Sequence, residues 1–284
     1  MTIPITKIYV DTKFMTADSE SSSNFKYQLP SNIFLPDDAV FQIDEISIPH
    51  SWYSIEEGIN DKMYVKWTGT SGTTVFKKVT LASGQYDGTQ FANVVLIALN
   101  AGMGSMPTNE LVPSYNATQN TIFITASTNT TSFKIFSDYE LKNGYGWLGT
   151  ETDAVDAYNI QSVNDVIRNY GITPSFEPSS RNNTYTSGFL DLSAFHNIYI
   201  SSPNLGGFAS IGPRGESGII RKVPVTSDFG YIIQEKSVTD YDLIECPKQA
   251  IPVLEFQLKD SRGYIIPLHG SNVSFSIVFK RLLK

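Results

Sequence analysis

The sequence predicts an all-β sandwich with a small α+β subdomain inserted in it, and three observations lead there. Over Ile251 to Arg281, Leu254, Phe256 and Leu258 alternate with Glu255, Gln257 and Lys259, and then Val273, Phe275, Ile277 and Phe279 alternate with Asn272, Ser274 and Ser276. A period of two buries one set and wets the other, the pattern of antiparallel sheets with one covered face. Two such strands cannot hide their apolar face alone, so the rest of the chain must supply a second sheet. In composition, 15 Tyr, 17 Phe, 20 Gly and 14 Pro in 284 residues favour strands joined by turns. Finally, the strong helical stripe of the chain, Phe91, Val94, Val95, Ala98 and Leu99, falls in its middle.

Taken in order, Lys7–Asp11 is a short β-type run, Ala17–Asn24 a polar loop, and Phe25–Leu29 a strand ended by Pro30. Val40–Ile48 is a long strand whose alternation breaks at Val40, Gln42, Asp44 and Ile46. Such a run suits a strand that passes between two sheets or carries a bulge. Met63–Trp67 and Thr74–Leu81 read as a hairpin around Thr68–Gly72. After the turn Gly84–Gly88, Thr89 is the expected N-cap of the helix and Gly102 its stop. Leu111–Tyr115, Thr121–Ala126 and Ser132–Phe136 follow as strands, and Asp138–Lys142 and Gln161–Asn169 as short helices linked through Gly144–Gly149.

A helix and three strands within a strand-only chain define an insertion over 82–172, leaving 1–81 and 173–284 as one discontinuous sandwich. Thr173–Ser180 reads as the connector. Strands resume at Phe189–Leu192, Asn197–Ser201, Ile219–Val225, Tyr231–Gln234 and Tyr241–Ile244, followed by the closing pair. Roughly eight to ten strands outside the insertion fit a single jelly roll of eight strands in two sheets, and not two jelly rolls.

Charge excludes several classes. A net charge of −7 and a pI near 5.0 argue against nucleic-acid binding through a general basic surface. Only 17% of residues are charged, so much of the surface is expected to be covered by partners. Cys246 is the single cysteine, which rules out an intrachain disulfide and a Cys-based metal site. No apolar run of 18 residues predicts a membrane-spanning helix, and MTIPITKIYVDTKF lacks the apolar run of a secretory signal. Synthesis in a reducing cytoplasm is expected.

No motif for catalysis stands out. His50, His196 and His269 lie in no metal-binding pattern, and no GxSxG elbow is present. Gly212–Gly218 (GPRGESG) lacks the Lys-Ser/Thr ending of a phosphate loop and reads as a long turn between strands. The pairs Asp37-Asp38 and Asp44-Glu45 point to opposite faces of a strand, unlike two carboxylates across a cleft. They suit a solvated edge or a salt bridge between subunits. Lys7, Lys13 and the tail Lys280 to Lys284 form small basic ends on an acidic chain. No enzyme activity, cofactor or metal is expected.

Several phrases together resemble one family. They are Ile8–Phe14 with Ser21–Phe25, Asp44–Trp52, Gly84–Thr89 leading into the helix to Asn100, and Phe133–Leu141. Asn197–Leu205 with Gly212–Ser217 follows, then Leu254–Asp260 with Leu268–Gly270 and Val273–Ile277. As a set they resemble the penton (minor capsid) proteins of virophages and of polinton-like and adintovirus-like DNA viruses. The resemblance implies a single jelly roll, a homopentamer at the icosahedral vertices of a virion, and a double jelly-roll major capsid protein as partner. It implies synthesis in the host cytoplasm, no specific nucleic acid and no membrane insertion. The insertion would project outward, with a host surface receptor as a further partner.

A ring of wedges needs a contact between two different flanks of the same body. The loops around Pro203–Ser217 and the turn Pro49–Ser54 are the candidates, and within them Pro49, His50, Trp52, Asn204, Arg214 and Glu216 are the expected subunit or capsomer contacts. The rival expectation is a carbohydrate-binding or adhesin-type β-sandwich, which needs an aromatic cluster beside Asp or Asn. Trp52, Trp67 and Trp147 are too far apart in sequence to decide that.

Overall fold

The computed structural model describes residues 6–36, 38–149, 162–171, 184–205, 210–236, 243–246 and 249–281. The elements begin with β1 (Thr6–Asp11), β2 (Asn24–Leu35), β3 (Ala39–Pro49), β4 (Lys62–Gly69) and β5 (Thr74–Thr80). Next come α1 (Gly88–Gly102), β6 (Leu111–Asn116), β7 (Thr121–Ala126), β8 (Thr130–Ile135), α2 (Asp138–Lys142), α3 (Asn164–Ile167) and β9 (Thr184–Thr186). The last group is β10 (Asn197–Ser201), β11 (Ile219–Pro224), β12 (Ile232–Lys236), β13 (Ile244–Glu245), β14 (Gln249–Lys259) and β15 (Ser274–Arg281). These elements divide into two compact units, residues 1–52 with 195–284, and residues 53–194.

In the discontinuous unit, β1 pairs with β15, β2 with β14, β3 with both β12 and β13, and β10 with β11, all antiparallel. This is the pairing of one long hairpin, the first strand meeting the last and the second the next to last. Two further pairings, β15 with β3 and β14 with β10, roll that hairpin into two sheets. Their orders are β1-β15-β3-β12 and β11-β10-β14-β2. β13 continues the edge begun by β12 along the other end of β3, so each sheet has four strand positions. The unit is an eight-stranded jelly roll, as the alternation predicts. The closing strands lie in opposite sheets, and their inward rows form the core: Phe256 of β14 meets Phe275 of β15 edge to face at 4.9 Å, and Phe25 lies 5.4 Å from Phe256.

Two irregularities set this core. Opposite β15, Ser276 pairs with Glu45 but Ile277 pairs with Ile43, so Asp44 is an extra residue. This bulge shifts the inward phase of β3 from Phe41 and Ile43 to Ile46 and Ile48, which explains the broken alternation. The second irregularity corrects an expectation, because β2 does not end at Pro30. Ile251 pairs with Ile33 and Val253 with Gln28, so Leu29 to Asn32 bulge opposite Pro252. Both prolines, which lack an N–H, therefore sit where the ladder is already broken. The Gln28 amide donates to Pro252 O there, at 3.0 Å.

The second unit begins and ends further out than 82–172 and takes up half of the chain, so the expected small insertion is a large one. The reason is strand pairing. β4 pairs with β5 on one side and with β8 on the other, which ties the predicted hairpin to the insertion and not to the sandwich. β6, β7 and β9 form another small sheet. The Phe91, Val95, Ala98 and Leu99 stripe of α1 joins Val65, Trp67, Ile124 and Phe133 in one core. α1 begins two residues earlier than expected: Asp87, not Thr89, is the N-cap, accepting from Gln90 N–H at 2.8 Å while Gln90 Oε1 accepts from Asp87 N–H. A Cβ on Gly88 would stand 2.4 Å from the Tyr115 ring, so only glycine lets α1 approach β6 this closely.

Phe189–Leu192 is not a strand. Leu190 N–H donates to Asn120 O and Asp191 N–H to Val166 O, and Leu190 and Leu192 pack on the second unit's core. Gln161, the connector Thr173–Ser180, Tyr241 and Asp37 lie outside the described residues.

Truncating Phe256 to alanine is expected to cost about 3–5 kcal/mol, read as a lower denaturant midpoint; a loss below about 1 kcal/mol would mean the two sheets do not pack as described. Replacing 53–194 by a short glycine tether between Trp52 and Phe195, whose rings stand 5.8 Å apart, is expected to leave a cooperatively melting sandwich. A non-cooperative, coil-like circular dichroism profile would overturn its autonomy.

Candidate functional site

The expected contact residues fall into two groups, one around the end of β3 and one on the loop that joins β10 to β11. β3 stops at Pro49 opposite Ile232, and β10 starts at Asn197 opposite Pro224. Residues 49–52, 195–197 and 224–232 therefore gather at one end. The loop between Ser201 and Ile219 leaves from the other end of β10, where Asn204 is found, but the turn that carries Arg214 and Glu216 folds back beside Tyr199, Lys259 and Arg262.

At the first end, His50 is held on every side. Its N–H donates to Tyr231 O and its O accepts from Gly230 N–H, both at 2.8 Å. Its Nδ1 donates to Ser227 O at 2.6 Å, and its ring stacks on Trp52 at 4.3 Å with Phe229 edge-on at 6.1 Å. Trp52 is 1% exposed and packs on Phe195, so it is a core anchor and not the contact residue expected of it. Its Nε1–H has no partner among the described residues. What the end offers to solvent is instead apolar: Phe229, Tyr231 and Ile232 are exposed, with Tyr231 at 69%.

At the second end, Asn204 works inside the subunit. Its amide donates to Val253 O, and its Oδ1 accepts from Ser202 Oγ and Glu255 N–H. Arg214 is exposed and gives a guanidinium hydrogen bond to Arg262 O. Glu216 closes its own loop, with Oε2 accepting from Arg214 N–H at 2.8 Å and its O accepting from Gly212 N–H at 2.7 Å. GPRGESG is thus a turn between paired segments, bridged at Ile211 and Ser217. Beside it is a cleft of about 230 Å³ lined by Tyr199, Ser201, Glu216, Gln257 and Lys259, among others.

The remaining exposed apolar side chains of this unit include Tyr9, Phe14 and Phe34, on or beside the edge strands β1 and β2. Sequence reasoning passed over them, although Tyr9 and Phe34 stand at the wet positions beside buried Val10 and Leu35. A large apolar residue on the polar side of a period-two run is the signal that marks them.

One member of each carboxylate pair faces a cation of the same chain. Asp44, turned out by the bulge, accepts from Lys7 at 2.6 Å, and that hydrogen bond holds the Lys7 ammonium above its usual pKa. Asp38 lies 3.7 Å from Arg281. The hydrogen bond from Lys26 lowers Asp18 to about 2. Among the described residues no group of three or more His, Cys, Asp or Glu could hold a metal ion, and no helix is long and apolar enough to cross a membrane.

The first unit therefore defines a jelly-roll protein interrupted between its third and fourth strands. No protein-family model and no curated protein matches the chain. Among solved structures it is similar to the selenomethionine-labelled penton protein of mavirus, at 10% identity and a TM-score of 0.53, over 98% of this chain and 100% of that one. At that identity the likeness is one of fold.

Cys246 is buried, and burial pushes its thiol up to about 12. Folded protein at neutral pH is expected to resist iodoacetamide and to react once denatured, as read by intact mass. Rapid labelling without unfolding would contradict the burial.

Proposed function

We propose that the protein is a penton-type capsid subunit, a structural and not a catalytic protein, which closes as a homopentamer at the vertices of a virion. The observation that carries this reading is the likeness to the mavirus penton protein over nearly the whole of both chains, inserted unit included. In this reading its partners are further copies of itself and a surrounding double jelly-roll major capsid protein. Residues 53–194 carry the contact made with the host surface.

The physics of ring closure is consistent with where the apolar residues stand. A cyclic ring joins two unlike flanks of one body. β1 and β12 are the opposite edges of one sheet; Tyr9 lies on β1 with Phe14 just beyond it, and Ile232 lies on β12 with Tyr231 just before it. Aromatic and aliphatic side chains exposed at both edges supply the apolar centre that such an interface needs. The contact is thus assigned to these edges and to Pro49 and His50 beside Tyr231, with Arg214 on the turn after Ile211 facing neighbouring capsomers and Glu216 bracing that turn. Trp52 and Asn204 serve the subunit's own fold.

Native mass spectrometry of the purified protein is expected to give five-copy rings, alone or on mixing with the major capsid protein. Ile232→Glu is expected to shift the population to monomer without lowering the melting temperature by more than a few degrees. A strict monomer at high concentration, absent from shells formed with the major capsid protein, would overturn the proposal.

A further inference from the structure

On the outer face of the sheet β11-β10-β14-β2, Lys222, Tyr199 and Lys259 form a row, because Tyr199 is directly opposite both lysines in the strand register. Opposed residues of antiparallel strands share a face. Ile198 and Ile200 are fully buried, which places Tyr199 on the outside. Lys259 is half-buried in the cleft, and neither lysine has an acidic partner among the described residues. Lys7, Lys26, Lys62 and Lys134, by contrast, each pair with a carboxylate. Two uncompensated cations in one row of a protein with net charge −7 favour an anion at that place.

The rest of the lining says which anion. Ser201, at the cleft wall, has a buried hydroxyl without a hydrogen-bond partner, a group that costs stability unless something satisfies it. Ser217 and Tyr199 add hydroxyls, and Gln257, whose amide donates to Asn24 Oδ1, retains its carbonyl. Glu216 in the same lining repels a carboxylate on its side, which directs one towards Lys259. A bare carboxylate or an acidic side chain would use the lysines and leave the hydroxyls and the tyrosine ring idle. A sugar acid uses all of them.

We propose that this cleft binds one acidic monosaccharide unit, its carboxylate on Lys259, with Lys222 on the far side of Tyr199 adding positive potential, its hydroxyls on Ser201, Ser217 and Gln257, and its apolar ring face on Tyr199. The volume of about 230 Å³ accommodates a single ring and not an extended peptide. The site lies wholly within the sandwich unit and does not depend on capsid assembly.

The test is titration of the full-length protein by heteronuclear NMR with glucuronate and N-acetylneuraminate, against glucose, acetate and a glutamate-rich peptide, with oligomeric state measured on the same samples. Saturable shifts at 199, 201 and 257 with one of the sugar acids, and none with glucose, are expected. Lys259→Gln should weaken that binding at least about tenfold at unchanged melting temperature, and Lys259→Arg should retain it. Failure of both sugar acids to bind, equal binding by acetate, peptide or glucose, or undiminished binding by Lys259→Gln would each overturn the assignment. None of these outcomes bears on whether the protein forms rings.

Discussion

The sandwich depends on strands from the two ends of the chain finding each other: Thr6 pairs with Phe279, and Phe25 pairs with Phe256. Without these ladders each sheet loses an edge strand, and Phe25 loses the rings against which it is buried. Such closure is costly in chain entropy, but the cost grows only slowly with loop length, by about 0.6 kcal/mol for each doubling. Once the hairpin is long, lengthening the segment between its third and fourth strands adds little to that cost. This is why half of the chain can lie between Trp52 and Phe195 while the jelly-roll pairing is unchanged on either side.

The inserted unit meets its own needs. Its described residues form a large apolar core and a smaller cluster around Tyr64, Phe136 and Leu141, and two of its buried carboxylates are bonded within the unit. Glu110, almost fully buried, accepts from Ser127, Asn129 and Thr130, and the Trp67 indole N–H donates to Thr130. Glu140, also buried, holds both the α2 cap at Ser137 and the Lys134 ammonium at 2.7 Å. Satisfied buried networks of this kind specify one arrangement, because each unmade bond carries a desolvation penalty.

Alternation made the sandwich legible in the sequence, as far as the broken phase of β3; that the cause is a bulge at Asp44 and not a passage between sheets is legible only in the pairing with β15. The stripe from Phe91 to Leu99 made α1 legible. What alternation does not encode is the partner of a strand. β4 and β5 have the period of sandwich strands yet pair with each other and, through β4, with β8, so the boundary near Ser83 was drawn at the helix and not before Lys62. Leu190 and Leu192 likewise alternate as in a strand, but the backbone around them bonds to loops of the insertion. For the candidate contacts, the turn at Pro49–Trp52 was correctly found at an end of the sandwich. Whether its tryptophan faces inward depends on Phe195, 143 positions later in the numbering, and nothing local reports that. The aromatic residues that do face solvent were legible, as large apolar side chains in the wet phase of their strands.

The rolled hairpin also imposes a schedule on synthesis. Residues 53–194 contain all the partners of their own strands, so this unit can fold while the ribosome is still at work. The sandwich cannot, because β1 and β3 wait for β15, which follows the whole insertion in the chain. Until then Phe25 and Phe41 stay uncovered on the nascent chain, and a body with two finished flanks does not exist. Completion of the sandwich is therefore tied to the emergence of β15, and a polypeptide cut before that strand can display a folded insertion without a closed jelly roll.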